Sequence, residues 1–215
     1  MDVYFISGLG ADKRVFKKIK LFSTHTIHHI EWISFGDGET LAHYAKRLAA
    51  AIDVSKPFAL IGLSLGGMIV SEMCTFLQPQ KAIAISTAAN AAQLPPYFKL
   101  AGILRLNKIV PTAFYKTPTS VAYWFFGIKT EEEKALFKSI IRDADPHFVR
   151  HAINAVMHWH KKEKPAGLIH IHGSADKLLP VQFAQPEVVV KGGEHLMVFS
   201  KADEISALLN DLLQS

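Results

Sequence analysis

Short apolar or β-branched runs, each ending at a glycine or a small polar residue, recur along this chain at residues 3–7, 26–34, 58–63, 82–86, 168–172 and 188–190. Between most of them lie segments whose apolar residues repeat with helical spacing, at 41–52, 65–77 and 205–213. Strands separated by helices cannot be joined by tight hairpins; they must cross over and run parallel. The pattern therefore predicts an α/β fold, with a mainly parallel, doubly wound sheet of about six strands and helices on both faces. In the last helical segment Ile205, Leu208, Leu209 and Leu212 fall at i, i+3, i+4 and i+7, a stripe that should pack on the sheet, with Ser200 placed to cap it three residues before Asp203.

The rhythm breaks between about residues 88 and 165. That stretch offers no clear strand but carries Pro95-Pro96, the aromatic run Tyr123-Trp124-Phe125-Phe126, and two helix openings, Thr130 before Glu131-Glu132-Glu133 and Asp145 before Pro146. It reads as a helical cap, 88–165, inserted into a core made of 1–87 and 166–215. A chain of 215 residues with 49% hydrophobic residues can bury about 70% of its unfolded surface, which excludes a disordered tail or a small stapled scaffold.

The net charge of +5 is not concentrated in one helix or tail, though Lys13, Arg14, Lys17, Lys18 and Lys20 make one basic patch and Lys161, Lys162 and Lys164 another. Neither patch has the stacking aromatics or groove-reading helix of a nucleic-acid site, so both read as solvated faces and no nucleic-acid partner is expected. The single cysteine, Cys74, allows no intrachain disulfide and no multi-cysteine metal site. The first residues look like a strand rather than a signal peptide, and no run of about 18 apolar residues could span a bilayer, so the expected location is cytoplasmic.

Residues 58–70 read Phe-Ala-Leu-Ile-Gly-Leu-Ser-Leu-Gly-Gly-Met-Ile-Val: a strand, then Gly-x-Ser-x-Gly, then an apolar helix. A strand that turns straight into a helix forces the residue at the corner to positive φ, and side chains two positions to either side would strike neighbouring backbone. Gly62 and Gly66 remove those side chains. Ser64 would then stand at the helix N-terminus, where free N–H groups favour developing negative charge.

A serine hydroxyl is a weak nucleophile at neutral pH and needs a base, itself held by an acid. Of the eleven histidines, His195 alone sits in a loop after a late strand, in Val190-Lys191-Gly192-Gly193-Glu194-His195. Asp176 follows the strand at 168–172, nineteen positions before His195 (195 minus 176). His25, His28, His29, His43, His147, His151, His158 and His160 read as surface or cap residues.

With these residues in place the chain resembles the α/β-hydrolase superfamily, whose triad runs Ser, Asp or Glu, then His along the sequence. The resemblance covers nearly the whole chain and implies a nucleophile at Ser64, an acid at Asp176 and a base at His195. Ile6-Ser7-Gly8-Leu9-Gly10-Ala11 is similar to the superfamily's oxyanion loop, which implies backbone donors at Leu9 and Leu65. Ser7-Gly8 stands where many relatives have His-Gly, and the superfamily's leading antiparallel hairpin is expected to be absent. Around the triad the chain is most similar to the methylesterase and hydroxynitrile-lyase branch; the lyases carry lysine after the histidine, whereas Leu196 stands here. The implied activity is cleavage of a small apolar ester or thioester through an acyl-enzyme, without a cofactor. Carbon–carbon bond hydrolysis, lactone hydrolysis and silent ligand binding on the same scaffold remain alternatives.

His170 and His172 share one face of a strand, and His147 and His151 one face of a helix, spacings that can bind metal. Neither pair has a third ligand recognisable in the sequence, so no metal is expected. Asp12 and Glu194 read as surface or supporting groups, and Lys177 as pointing to solvent. Phe98, Leu100, Ile103, Phe114, Trp124 and Phe125 could line a pocket or pack the cap, and none is assigned to binding.

Overall fold

β3 (Phe58–Leu63) is buried along its whole length, as a strand covered on both faces must be. In the computed structural model, which describes residues 1–98 and 117–214, it lies near the middle of a six-stranded sheet. The other strands are β1 (Asp2–Ile6), β2 (Thr26–Ile30), β4 (Lys81–Ile85), β5 (Leu168–Gly173) and β6 (Val188–Val190). Their order across the sheet is β2-β1-β3-β4-β5-β6, and every pairing is parallel.

Alternation along each strand divides the interior into two cores. Tyr4, Ile6, Leu60 and Ala84 face one side, where α1 (Leu41–Leu48) and α2 (Leu65–Met73) pack. Val3, Phe5, Ile61 and Ile83 face the other, against α8 (Ala202–Gln214). The expected strand at 26–34 ends at Ile30, because Ile30 pairs with Ile6 and beyond Ile6 the neighbouring strand turns away, leaving nothing to bond.

The described part of 88–165 holds no strand and carries the helices α3 (Ser120–Phe126), α4 (Glu131–Asp143) and α5 (Pro146–Met157). Both predicted openings occur. Thr130 and Glu133 form a reciprocal capping box, and Asp145 caps α5 at His147 with Pro146 in its first turn. α4 buries Leu136, Phe137 and Ile140 in one core, whereas α5 buries Phe148, Val149 and Ala152 in the other.

The apolar stripe of α8 packs as expected, with Ile205 and Leu209 fully buried. Ser200 does not cap it. After α6 (Val181–Ala184), a short helix, α7 (Met197–Ser200), precedes α8, and the Ser200 hydroxyl points back to the Leu196 carbonyl. The basic patches are largely paired: Arg14 bridges Asp12 and Asp143, Lys17 and Lys18 meet Glu132, and Lys164 meets Glu187. No helix among the described residues is long and apolar enough to cross a membrane.

Candidate active site

Ser64 occupies the corner between β3 and α2 with φ 53° and ψ −116°, the positive φ that the abrupt turn demands. A Cβ on Gly62 would lie 2.3 Å from the Gly66 carbonyl oxygen, and one on Gly66 would lie 2.2 Å from that of Ile6. Both glycines are thus required by backbone approaching backbone. The turn is fastened by Ser64 N–H donating to Ile85 O at 2.9 Å and by Thr87 Oγ1 donating to Ser64 O at 2.6 Å. The Ser64 side chain makes no capping bond to α2.

It faces His195 instead. His195 Nε2 lies 3.0 Å from Ser64 Oγ, and His195 Nδ1 lies 2.8 Å from Asp176 Oδ2. An ionised carboxylate only accepts, so the Nδ1 proton points to Asp176 and the Nε2 lone pair receives the serine hydroxyl. Residues 64, 176 and 195 therefore meet at the carboxyl ends of β3, β5 and β6. Asp176 Oδ1 is held by two amides, Leu178 N and Leu179 N, each at 2.9 Å. The acid and histidine loops are joined to each other where Ala175 N donates to Gly193 O at 2.9 Å.

Burial alone would raise the Asp176 carboxyl; the charge and hydrogen bond of His195, with the Leu179 amide, outweigh it and hold the acid below the usual carboxylate range. His172 Nε2 lies 3.5 Å from Asp176 Oδ2 and donates to Leu179 O at 2.7 Å. His170 completes this buried pair, 3.1 Å away, through its Nε2. Burial keeps both rings neutral, lowering His172 and bringing His170 to about 3.

Leu9 lies in the loop after β1, and Leu65 opens α2, where no preceding helical carbonyl faces its N–H. Among the described residues neither amide donates to a protein acceptor. Ser7 anchors this loop by donating its hydroxyl to Ala11 O at 2.7 Å. Trp32 adds a clamp that the sequence did not reveal, its indole N–H bridging Ala11 O at 2.8 Å and Gly8 O at 3.2 Å.

Lys177 does not point freely to solvent. Its Nζ lies 2.7 Å from Glu194 and 5.4 Å from the Trp124 ring centre. Glu194 is buried and also pairs with Lys129 at 3.1 Å, so the chain just after α3 is tied to the histidine loop. Phe126 reinforces the tie, its ring edge-on to His195 at 5.3 Å and its carbonyl accepting from Leu196 N. Asp12 is engaged by Arg14. Of the aromatic and aliphatic residues considered for a pocket, Phe98 packs against a core, Trp124 is exposed and Phe125 is half-buried; Leu100, Ile103 and Phe114 lie outside the described residues.

The sequence pattern of the alpha/beta hydrolase family matches residues 3–208. The chain belongs to the alpha/beta hydrolase family. No curated protein matches it by sequence. Among solved structures, MenH from S. aureus superposes with a TM-score of 0.75 at 15% identity, covering 100% of this chain and 93% of that one. A lipase-esterase related protein from Clostridium acetobutylicum gives 0.73 at 17% identity, over 98% and 93% of the two chains. An esterase from Exiguobacterium antarcticum gives 0.73 at 16%, over 100% and 92%. These solved structures share the fold of this chain, and membership of the alpha/beta hydrolase family makes the chain a hydrolase-type enzyme.

Proposed function

We propose that this alpha/beta hydrolase cleaves carboxylic esters or thioesters of small to medium apolar acids through an acyl-enzyme on Ser64, His195 and Asp176. The observation that carries this reading is the continuous hydrogen-bonded chain from Ser64 Oγ through His195 to Asp176, built on a serine held at positive φ. Ser64 Oγ bonds to the substrate carbonyl carbon while its proton passes to His195 Nε2. The carbonyl electron pair moves to oxygen, and the Leu9 and Leu65 amides stabilise that charge at the start of α2. Collapse breaks the bond to the alkoxide or thiolate, which takes the proton from Nε2. Water then repeats the sequence on the acyl-enzyme and frees the acid. Asp176 orients the imidazole and stabilises its cationic form without taking the proton. The described helices α3, α4 and α5 act as part of a cap that limits water access to the acyl intermediate.

Ser64→Ala tests the assignment. Turnover of short p-nitrophenyl esters should fall by several orders of magnitude while thermal unfolding is unchanged, and labelling by a fluorophosphonate should vanish. Undiminished turnover would remove Ser64 as the nucleophile. A wild-type protein that neither labels nor turns over esters, thioesters or lactones would favour a silent binding role on the same fold.

A further inference from the structure

We infer that the surface of α5 carries a transition-metal site formed by His147, His151 and Asp37. His147 and His151 lie one helical turn apart, with ring centres 4.0 Å from each other. The third group arrives from the loop after β2, where Asp37 Oδ1 lies 3.3 Å from His151 Nε2. One ligand-capable atom from each of the three side chains lies within 4.8 Å of the others, and among the described residues no second cluster of this kind occurs.

The tautomer of His151 suits a metal ligand. Its Nδ1 lies 2.9 Å from the His147 carbonyl oxygen, which can only accept, so the ring proton sits on Nδ1. The Nε2 lone pair is left facing Asp37. A backbone carbonyl fixing one nitrogen so that the other can ligate is the usual support of a metal-bound histidine. The carboxylate is also presented by an anchored loop. Gly36 N donates to Glu39 Oε2 at 2.8 Å, and Glu39 is itself held by Arg47 at 2.7 Å and His43 at 2.6 Å. Asp37 stands at the tip of that loop with its side chain 98% exposed, free to turn toward the helix.

Two imidazoles and one carboxylate are borderline donors that match Zn²⁺, Co²⁺, Ni²⁺ or Cu²⁺ better than the all-oxygen preference of Ca²⁺ or Mg²⁺. Around a tetrahedral zinc the ligand atoms stand roughly 3.3 Å apart, so closing from the present spacing takes side-chain rotations on an open surface and no backbone shift. Three protein ligands leave one position for water. The ion would fasten the loop after β2 to α5, whose Val149 side chain packs against Gly10 in the loop that carries Leu9. It would brace that loop from outside without touching Ser64.

Isothermal titration of the chain with zinc chloride tests the site, beside thermal unfolding with and without the ion. The wild type should bind one zinc tightly enough to raise Tm. Asp37→Asn should weaken binding by about tenfold or more, and the His147→Ala/His151→Ala double variant should lose both binding and the Tm shift. Asp37 and His147 are exposed and His151 is half-buried, so metal-free unfolding of Asp37→Asn should match the wild type; if the double variant fails to fold, Asp37→Asn and His151→Gln carry the same test. No binding by the wild type, or unchanged binding in the variants, would overturn the assignment, the latter placing zinc on other histidines.

Discussion

Asp176→Asn separates the charge of the acid from its shape. Asp176 Oδ1 accepts from Leu178 N and Leu179 N at 2.9 Å each, while Oδ2 accepts from His195 Nδ1 at 2.8 Å. An asparagine must keep its carbonyl on the two amides, because the reverse orientation would set its NH₂ against two N–H donors. Its NH₂ then faces His195 Nδ1, which must turn acceptor, and the imidazole proton moves to Nε2. There it points at Ser64 Oγ and can only donate, so the proposed base is lost although every atom keeps its place. In serine hydrolases using this constellation, that exchange lowers kcat by about 10⁴, equivalent to about 5 kcal/mol of transition-state stabilisation. The assay is kcat/KM on p-nitrophenyl acetate and butyrate at neutral pH, with fluorophosphonate labelling as a second reading and thermal unfolding as the control. A variant within about tenfold of the wild-type rate would refute the reasoning. Glu194 offers no substitute, since it is committed to Lys177 and Lys129.

Two further outcomes test the scaffold. Gly66→Ala places a methyl group 2.2 Å from Ile6 O and 2.4 Å from Ser7 O, both backbone atoms with no flexible side chain to yield; stability should fall by about 1–3 kcal/mol or more, and labelling at Ser64 should be lost below the lowered Tm. A Gly66→Ala protein with wild-type melting and labelling would contradict the turn geometry. The buried His170 sets a pH dependence. Burial first, then the neighbouring His172 and Lys164, lower it from 6.5 to about 3, so on acidification the unfolded chain takes up a proton that the folded chain refuses. Its contribution is therefore complete above 6.5 and is lost progressively toward about 3, at about 1.36 kcal/mol per pH unit. Denaturant unfolding at neutral pH and near pH 5 should show a decline that His170→Gln reduces; an identical decline in the variant would sink the assignment.

What could be read from the chain was what neighbours in sequence prescribe. Short apolar runs mark the strands because a strand buried on both faces, such as β3, needs continuous apolar residues, and Gly-x-Ser-x-Gly announces its turn because the clash it avoids lies within five residues. Even local patterns failed where a competing local structure intervened: Ser200 has the spacing of a cap, but α7 claims it first. The groups that escaped the sequence meet only through the topology. Trp32 reaches Gly8 and Ala11 because β2 lies beside β1, so the loops leaving the two strands emerge together. Lys177 and Glu194 pair because β5 and β6 end side by side. Asp37 stands 110 positions before His147 (147 minus 37), and nothing in its own surroundings signals a ligand. The histidine pair on α5 was visible as a spacing, yet a spacing names two donors at most; the third depends on which loop the winding of the sheet brings across the helix. A further site built the same way in a relative would be sought in the loop after its second strand rather than in any longer motif on the helix.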